Sequence, residues 1–495
     1  MTAGDQAEGK GESKTEGQLL SEKLFVNKKN IWDSLGSEEE GVYRFAEDYK
    51  KFLDAGKTER ECITAILEAL NGAGFQDISD LRSADRRSAD PGPLVPGDRV
   101  YQNNRDKSLV CAVIGKQPVS AGVNIIGAHV DSPRIDLKGN PLYEDTEFAF
   151  LDTHYYGGIK TYQWTTIPLA LHGVVIREDG RKIEICVGED DKDPIFTITD
   201  LLPHLAREQM QKKASEFVGG EDLNVLAGSR PFQDAKAKDK VKLNLLNILH
   251  EQYGMVEQDF AGAELELVPA FKSRDLGFDR SMIGGYGHDD RCCVYATLRA
   301  ALDMAAAGSP PEKTIVAIFT DKEETGSAGN TGAQSRLFEN FIAFLVSGTA
   351  GSFSEILLRQ TLGASCMLSG DVNSAFDPNF DGVYDRKNSS FFGKGIGLSK
   401  HTGSGGKFNG SEANAEFCGR VQGIFNRNKV QWQYGDLGKV DKGGGGTIAK
   451  YVANLGLEVL DCGIPVLSMH SPFEVISKID LYTTYQGYGA FFREG

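Results

Sequence analysis

Residues 320–327 read TDKEETGS and follow the apolar run 315–319. That run has the length and β-branched content of a buried strand, so Asp321, Glu323 and Glu324 fall at its C-terminal end, where open α/β sheets place their chemistry. Two adjacent glutamates repel unless their surroundings differ. They differ if one is a ligand to a dication and the other is free to move a proton. Taken alone, a pair of this kind is a solvated acidic turn.

Four further segments carry side chains of the same chemistry. GVNIIGAHVDSPR delivers His129 and Asp131, GYGHDDR holds Asp289 and Asp290, SGDVN holds Asp371, and SMHSP holds His470. A lone histidine is usually a satisfied residue, and HDD ahead of a helix starting near Arg291 is ordinary capping chemistry. Two histidines and several carboxylates at successive strand ends or adjoining turns are a nitrogen and oxygen set that suits zinc, with cobalt or manganese as alternatives. One ion does not need so many ligands. Two ions about 3.5 to 4 Å apart, bridged by a carboxylate, use five ligands and leave one acid for proton transfer.

The elements that must position these residues follow from periodicity. Residues 39–72 show apolar spacing of three and four, closed by glycines, and predict two helices. PGPLVPG at 91–97 predicts a turn, and two apolar runs, 108–114 and 122–128, predict strands. DRCCVYATLRAALDMAAAG predicts a helix ended by Gly308, TIVAIF a strand, SRLFENFIAFLVSG and SEILLRQTLG helices, and ASCMLSG a strand ending near Asp371. TIAKYVANLG predicts a helix, and LEVLDCG and IPVLSMHSP the last apolar runs. This alternation predicts an α/β domain with a mostly parallel sheet covered by helices on both faces.

Between 135 and 269 the pattern changes to short β-like pieces such as LALHGVVI and KIEICVG, with a lysine-rich stretch at 207–242 expected to be a mobile polar loop. We therefore expect a catalytic domain over 21–134 and 270–495, an inserted β-rich domain over 135–269, and a disordered lead-in over 1–20. The tracts GSGGKFNG and DKGGGGT do not match a phosphate loop and are expected to be flexible or closely approaching backbone near the site.

With 495 residues and 40% hydrophobic content the chain has material for more than one core. A formal charge of -16 lacks the basic footprint that nucleic acid requires. No run approaches a membrane span, the polar N-terminus has no signal-peptide core, and the eight scattered cysteines have no CxxC spacing. The expectation is a cytoplasmic protein with reduced thiols that binds neither nucleic acid nor membrane.

GAHVDSPR, GYGHDDR, DKEETGS, SGDVNSAFDPN and SMHSPFE, in this order, closely resemble the signature segments of the aspartyl aminopeptidase family, which includes the vacuolar leucyl-type aminopeptidases. LDTHYYGG, DLLPHLA and IAKYVANLGLEVLDCGIPVLSMHS extend the resemblance over nearly the whole chain, as in a bacterial-type member. The resemblance implies a phosphorylase/hydrolase-like three-layer catalytic domain interrupted by a smaller dimerisation and lid domain. It also implies a zinc exopeptidase with two zinc ions per subunit that removes N-terminal residues from peptides. By motif, His129 resembles a ligand to the first metal and Asp131 the acid that orients it. Asp289 resembles the bridging ligand, with the neighbouring Asp290 leaving that doublet ambiguous. Asp371 completes the first metal, Glu324 and His470 the second, and Glu323 resembles the general base.

The resemblance further implies dimers assembled into a tetrahedral dodecamer. His204 resembles a position that reaches a neighbouring subunit's site, and Lys400, His401 and Lys407 lie where relatives line the substrate pocket. Acid-specific members carry histidines shortly after the position of Asp371, where this chain has Val372, Asn373 and Ser374, then Phe376 and Asp377. A preference for acidic or for neutral N-terminal residues therefore stays open. The competing functions are another dinuclear amidohydrolase, a deacylase or carboxypeptidase, and a non-catalytic assembly or cargo-binding relative. A dead relative would be expected to have lost some of the ligands, all of which are present here.

Overall fold

The apolar run expected as a strand is the strand Ile315–Thr320, buried along its whole length. In the computed structural model, which describes residues 14–26, 28–81 and 93–495, it belongs to a nine-stranded sheet. From one edge the order is Gln76–Asp77, Arg99–Asn104, Ser108–Val113, Ile315–Thr320, Asn124–His129, Cys366–Ser369, Glu458–Gly463, Ile396–Ser399 and Trp432–Tyr434. The four strands from Ile315–Thr320 to Glu458–Gly463 run parallel. Antiparallel pairings flank them, through Ser108–Val113 on one side and Ile396–Ser399 on the other.

Strand side chains alternate between two cores, as a period of two requires. Ile126 and Ala128 pack with residues of the helices Glu39–Ala55, Glu59–Gly72, His288–Ala306, Ala415–Arg427 and Lys478–Glu494. Ile125 and Val316 pack on the other face with Leu337–Ala350 and Glu355–Ala364. Burial on both faces explains why these strands read as continuous apolar runs.

Between Arg134–Asp145 and Glu264–Pro269 the chain builds a separate seven-stranded sheet, every pairing antiparallel, over its own apolar core. A third sheet of five short strands includes Met282–Gly285, Glu474–Ser477, Pro465–Leu467 and Asn373–Ser374. It ties together the segments that lead to Asp289, Asp371 and His470.

Three expectations are corrected. Residues 1–13 lie outside the described residues, but the expected disordered lead-in over 1–20 contains the start of a helix, Glu16–Leu24, nucleated by a capping box between Thr15 and Gln18 and exposed throughout. The stretch 207–242, expected to be a mobile loop, contributes the strand Val225–Gly228 to the second sheet, anchored by the buried Val225. TIAKYVANLG is helical only over Ala449–Ala453, where turns closing at Leu455 and Gly456 end it.

Candidate metal centre

His129 is the last residue of its strand and stands in register with Thr320, so the turn carrying Glu323 and Glu324 leaves the sheet beside it. Ser369 pairs with Gly127 and with Asp461, which places Asp371 two residues beyond the same edge. The approach of the Asp371 loop needs a glycine: a Cβ on Gly463 would stand 1.6 Å from the Asp371 carbonyl oxygen. Asp289 and Asp290 have non-helical backbone at the head of His288–Ala306, and the regular helix continues from Arg291. His470 sits in a turn between the Pro465–Leu467 and Glu474–Ser477 strands.

These residues converge. Asp289 Oδ1 lies 3.2 Å from His129 Nε2, and Asp289 Oδ2 lies 3.3 Å from His470 Nε2. On the first side Asp371 Oδ1 is 3.9 Å from His129 Nε2, and on the second Glu324 Oε2 is 3.5 Å from His470 Nε2. One carboxylate thus faces two imidazoles, each with a further acid beside it. Ligand atoms bound 2.0 to 2.1 Å from a tetrahedral zinc stand about 3.3 Å apart, which is the spacing of both imidazole contacts. Asp289 Oδ1 and Glu324 Oε1 are buried without a hydrogen-bond partner, as atoms that accept from a cation would be. The residues therefore fit two divalent ions that share Asp289.

The far nitrogens of the two rings are fixed. His129 Nδ1 meets the Asp131 carbonyl at 3.0 Å and its Oδ1 at 3.3 Å, and His470 Nδ1 meets the carbonyl of Gly158 at 2.9 Å. This leaves both Nε2 atoms free to face inward. Asp131 is wholly buried and also accepts from the backbone N–H groups of Glu323 and Glu324, at 3.1 and 3.2 Å, and from the Tyr156 hydroxyl at 2.8 Å.

Electrostatics follow from burying acids together. Burial, reinforced by Asp131 and Asp289 and opposed by His129, lifts the Glu323 carboxyl to about 7. Burial raises Glu324, Asp371 and Asp290 well above the usual carboxylate range. Against the same burial, His470 and His129 hold Asp289 low. The acids return the favour: Asp289 and Glu324 overcome burial to lift His470 to about 11, and Asp131 and Asp289 raise His129. Among the described residues no lysine or arginine pairs with this set; histidines alone do. Without metal, protons occupy the positions from which metal ions would expel them.

All seven residues singled out in sequence, His129, Asp131, Asp289, Glu323, Glu324, Asp371 and His470, lie at this one sheet edge. Asp290 is buried behind it, where its carboxylate accepts the His129 N–H at 3.2 Å. His401 lies in the wall of the adjoining cleft, a cavity of about 590 Å³, with Lys407 and with glycines of both glycine-rich tracts, Gly403 and Gly405 of one and 443–446 of the other. There the tracts approach each other as paired backbone, Gly403 against Gly445 and Ser404 against Gly444. His204 is exposed on the second sheet's region, and Lys400 pairs with Glu412 at 3.0 Å. Sequence reasoning missed Tyr156, Gly158, Ser132, whose hydroxyl donates to the Asp289 carbonyl at 2.5 Å, and Glu474. The signal for Glu474 was its place in SMHSPFE, four residues after a ligand.

The model of a family described as aminopeptidase I zinc metalloprotease (M18) matches residues 52–492. A probable M18 family aminopeptidase 1 of Clostridium acetobutylicum is 49% identical over 469 residues, covering 94% of this chain and 98% of the relative. The crystal structure of an M18 aminopeptidase from Thermotoga maritima superposes with a TM-score of 0.89 at 42% identity, over 95% of this chain and all of that one. The mApe1 dodecamer of S. cerevisiae shares the fold at 21% identity, with a TM-score of 0.72 over 90% of this chain and 96% of its own.

Proposed function

Because the chain belongs to the aminopeptidase I zinc metalloprotease family, M18, it is a metallo-aminopeptidase, and we propose that it holds two zinc ions per subunit. The observation that carries this is Asp289, with one oxygen 3.2 Å from His129 and the other 3.3 Å from His470. His129, Asp371 and Asp289 would hold one ion, and Glu324, His470 and Asp289 the other. When bound, such a pair supplies a Lewis acid that polarises the scissile carbonyl and makes water acidic enough to attack near neutral pH.

The chain's own residues do the rest. Asp131 and Asp290 are occupied by N–H donors, whereas Glu323 lines the cleft and belongs to neither proposed ligand set, and burial lifts its carboxyl to about 7 in the metal-free site; it takes a proton from the attacking water and returns it to the departing amine. Asp131 keeps the His129 ring in one tautomer and the Glu323 backbone in place. The acidic floor, with no lysine or arginine paired to it among the described residues, favours the free α-amino end of a peptide.

We assign the catalytic body, 21–134 and 270–495, to the phosphorylase/hydrolase-like three-layer class, a reading that the helices packed on both sheet faces support. The insert over 135–269 is proposed to mediate dimers and, through them, a tetrahedral dodecamer. Ile195, Leu205 and Met210 expose 58%, 67% and 70% of their surface there, apolar area that a second copy would cover. A cytoplasmic setting suits the eight free thiols.

A panel of matched peptides with free and acetylated N-termini, run with metal analysis, tests the function. Turnover of the free peptides alone is expected. Equal turnover of the blocked peptides would favour a deacylase or carboxypeptidase.

A further inference from the structure

Asp289 and His470 face each other across the second proposed metal position, yet they come from different elements far apart in sequence. One buried side chain joins them. Glu474, 1% exposed, accepts the Asp289 N–H on Oε2 at 2.9 Å and the His470 N–H on Oε1 at 2.7 Å. It opens the Glu474–Ser477 strand, where it is registered against Gly285, two residues before the turn that carries Asp289. Among the described residues its hydrogen-bond partners are these two backbone groups.

The turn that carries His470 needs such a restraint. Ser468 and His470 both adopt left-handed backbone, φ 59° and 65°, without being glycine. Conformations of this kind persist only where the surroundings fix them. Inside the turn, Ser471 N–H reaches the Ser468 carbonyl at 3.0 Å, and the Glu474 carboxylate holds the His470 N–H. The ring is then aimed by Gly158 on Nδ1. The first metal position is supported differently: His129 is held by its strand, by Asp131 and by Asp290.

We propose that Glu474 is a positioning residue that sets the separation of Asp289 and His470, and so sets the affinity of the second metal position, the one shared with Glu324, more strongly than that of the first, which it reaches through Asp289 alone. This rests on the two-ion reading above. Groups that orient metal ligands typically change metal affinity by about 10- to 100-fold when altered. Glutamine keeps the size of Glu474 but offers a single acceptor oxygen, so one of the two N–H groups loses its partner.

The test is calorimetric zinc titration of metal-stripped full-length protein, beside thermal melting of the metal-free forms. Wild type is expected to take up two equivalents. Glu474→Gln is expected to bind one equivalent roughly 10- to 100-fold more weakly and to weaken the other by clearly less. If Glu474→Gln does not fold, Glu474→Asp decides, because it keeps both acceptors but draws them back by one methylene; the same unequal loss is expected. Unchanged affinity at both positions, or equal weakening of both, overturns the proposal. A wild type that binds a single equivalent overturns the two-ion reading instead.

Discussion

Asp131 holds Glu323 by its backbone: Oδ1 accepts the Glu323 N–H at 3.1 Å, while Oδ2 accepts the Glu324 N–H at 3.2 Å. The same carboxylate stands 3.3 Å from His129 Nδ1. One buried acid therefore registers a proposed ligand of the first metal position, a proposed ligand of the second, and the proposed proton carrier.

Asp131→Asn should accordingly disturb two properties at once. An amide nitrogen cannot accept an N–H, so the glutamate turn loses one of its two partners in either orientation, and the His129 ring loses its side-chain contact as well if the nitrogen takes the place of Oδ1. Zinc affinity should fall by about 10- to 100-fold, together with kcat. Competition with a chromogenic chelator and steady-state kinetics check this; a loss of kcat with zinc affinity intact would confine Asp131 to the glutamates.

Glu323→Gln removes a proton carrier and no proposed ligand. Turnover should fall by about 100- to 10,000-fold with zinc content unchanged. In wild type, kcat/KM should decline on the acid side as Glu323 becomes protonated. The carboxyl lies at about 7 without metal, and adjacent cations lower it, so the acid limb should sit at or below that value. Loss of that limb in the variant's residual activity checks the assignment.

Metal uptake should expel protons. His129 is raised by Asp131 and Asp289, and His470 is raised to about 11 by Asp289 and Glu324. Both rings must be neutral to bind. Apparent zinc affinity should therefore weaken as pH falls, and dialysis against a chelator should strip the protein faster at pH 6 than at pH 8. In buffers of different ionisation enthalpy, the heat of zinc binding should vary with the buffer in proportion to the protons released. Zinc should also raise the melting temperature progressively with its concentration.

His172 should make stability depend on alkaline pH. It lies buried between Glu61 Oε1 at 2.7 Å and Glu189 Oε1 at 3.1 Å, joining the Glu59–Gly72 helix to the second sheet. Burial opposes its charge, but Cys186, Glu189 and Glu61 lift it to about 11. A histidine raised in the folded state gives stabilisation that is complete below its unfolded value, about 6.5, and is lost as pH rises toward the folded one. Between pH 7 and 10 the wild-type melting temperature should fall more steeply than that of His172→Gln.

The proposed ligands were legible because each ends an apolar run or sits in a short polar signature beside one: His129 closes NIIGAH, and Asp371 follows CMLS. Fully buried parallel strands write themselves as unbroken apolar stretches, so the central sheet was legible too. The supports were not. Tyr156 lies on a strand of the second sheet, Gly158 contributes only a carbonyl, and Glu474 acts on backbone N–H groups; none of these contacts leaves a periodicity. The helix Glu16–Leu24 was hidden by polar composition, although its Thr15 and Gln18 capping pair was there to find. The five-stranded sheet was equally hidden, since strands of two to four residues leave too little pattern to detect.

The second sheet begins at Arg134, directly downstream of His129, and its next strand returns at Tyr156 to meet Asp131, with Gly158 just beyond it against His470. A swing of the insert would therefore carry the Asp131 and His470 contacts with it. A lineage cannot exchange it freely for another module: its replacement would have to supply, at the same two points, a hydroxyl for Asp131 and a carbonyl for the His470 ring.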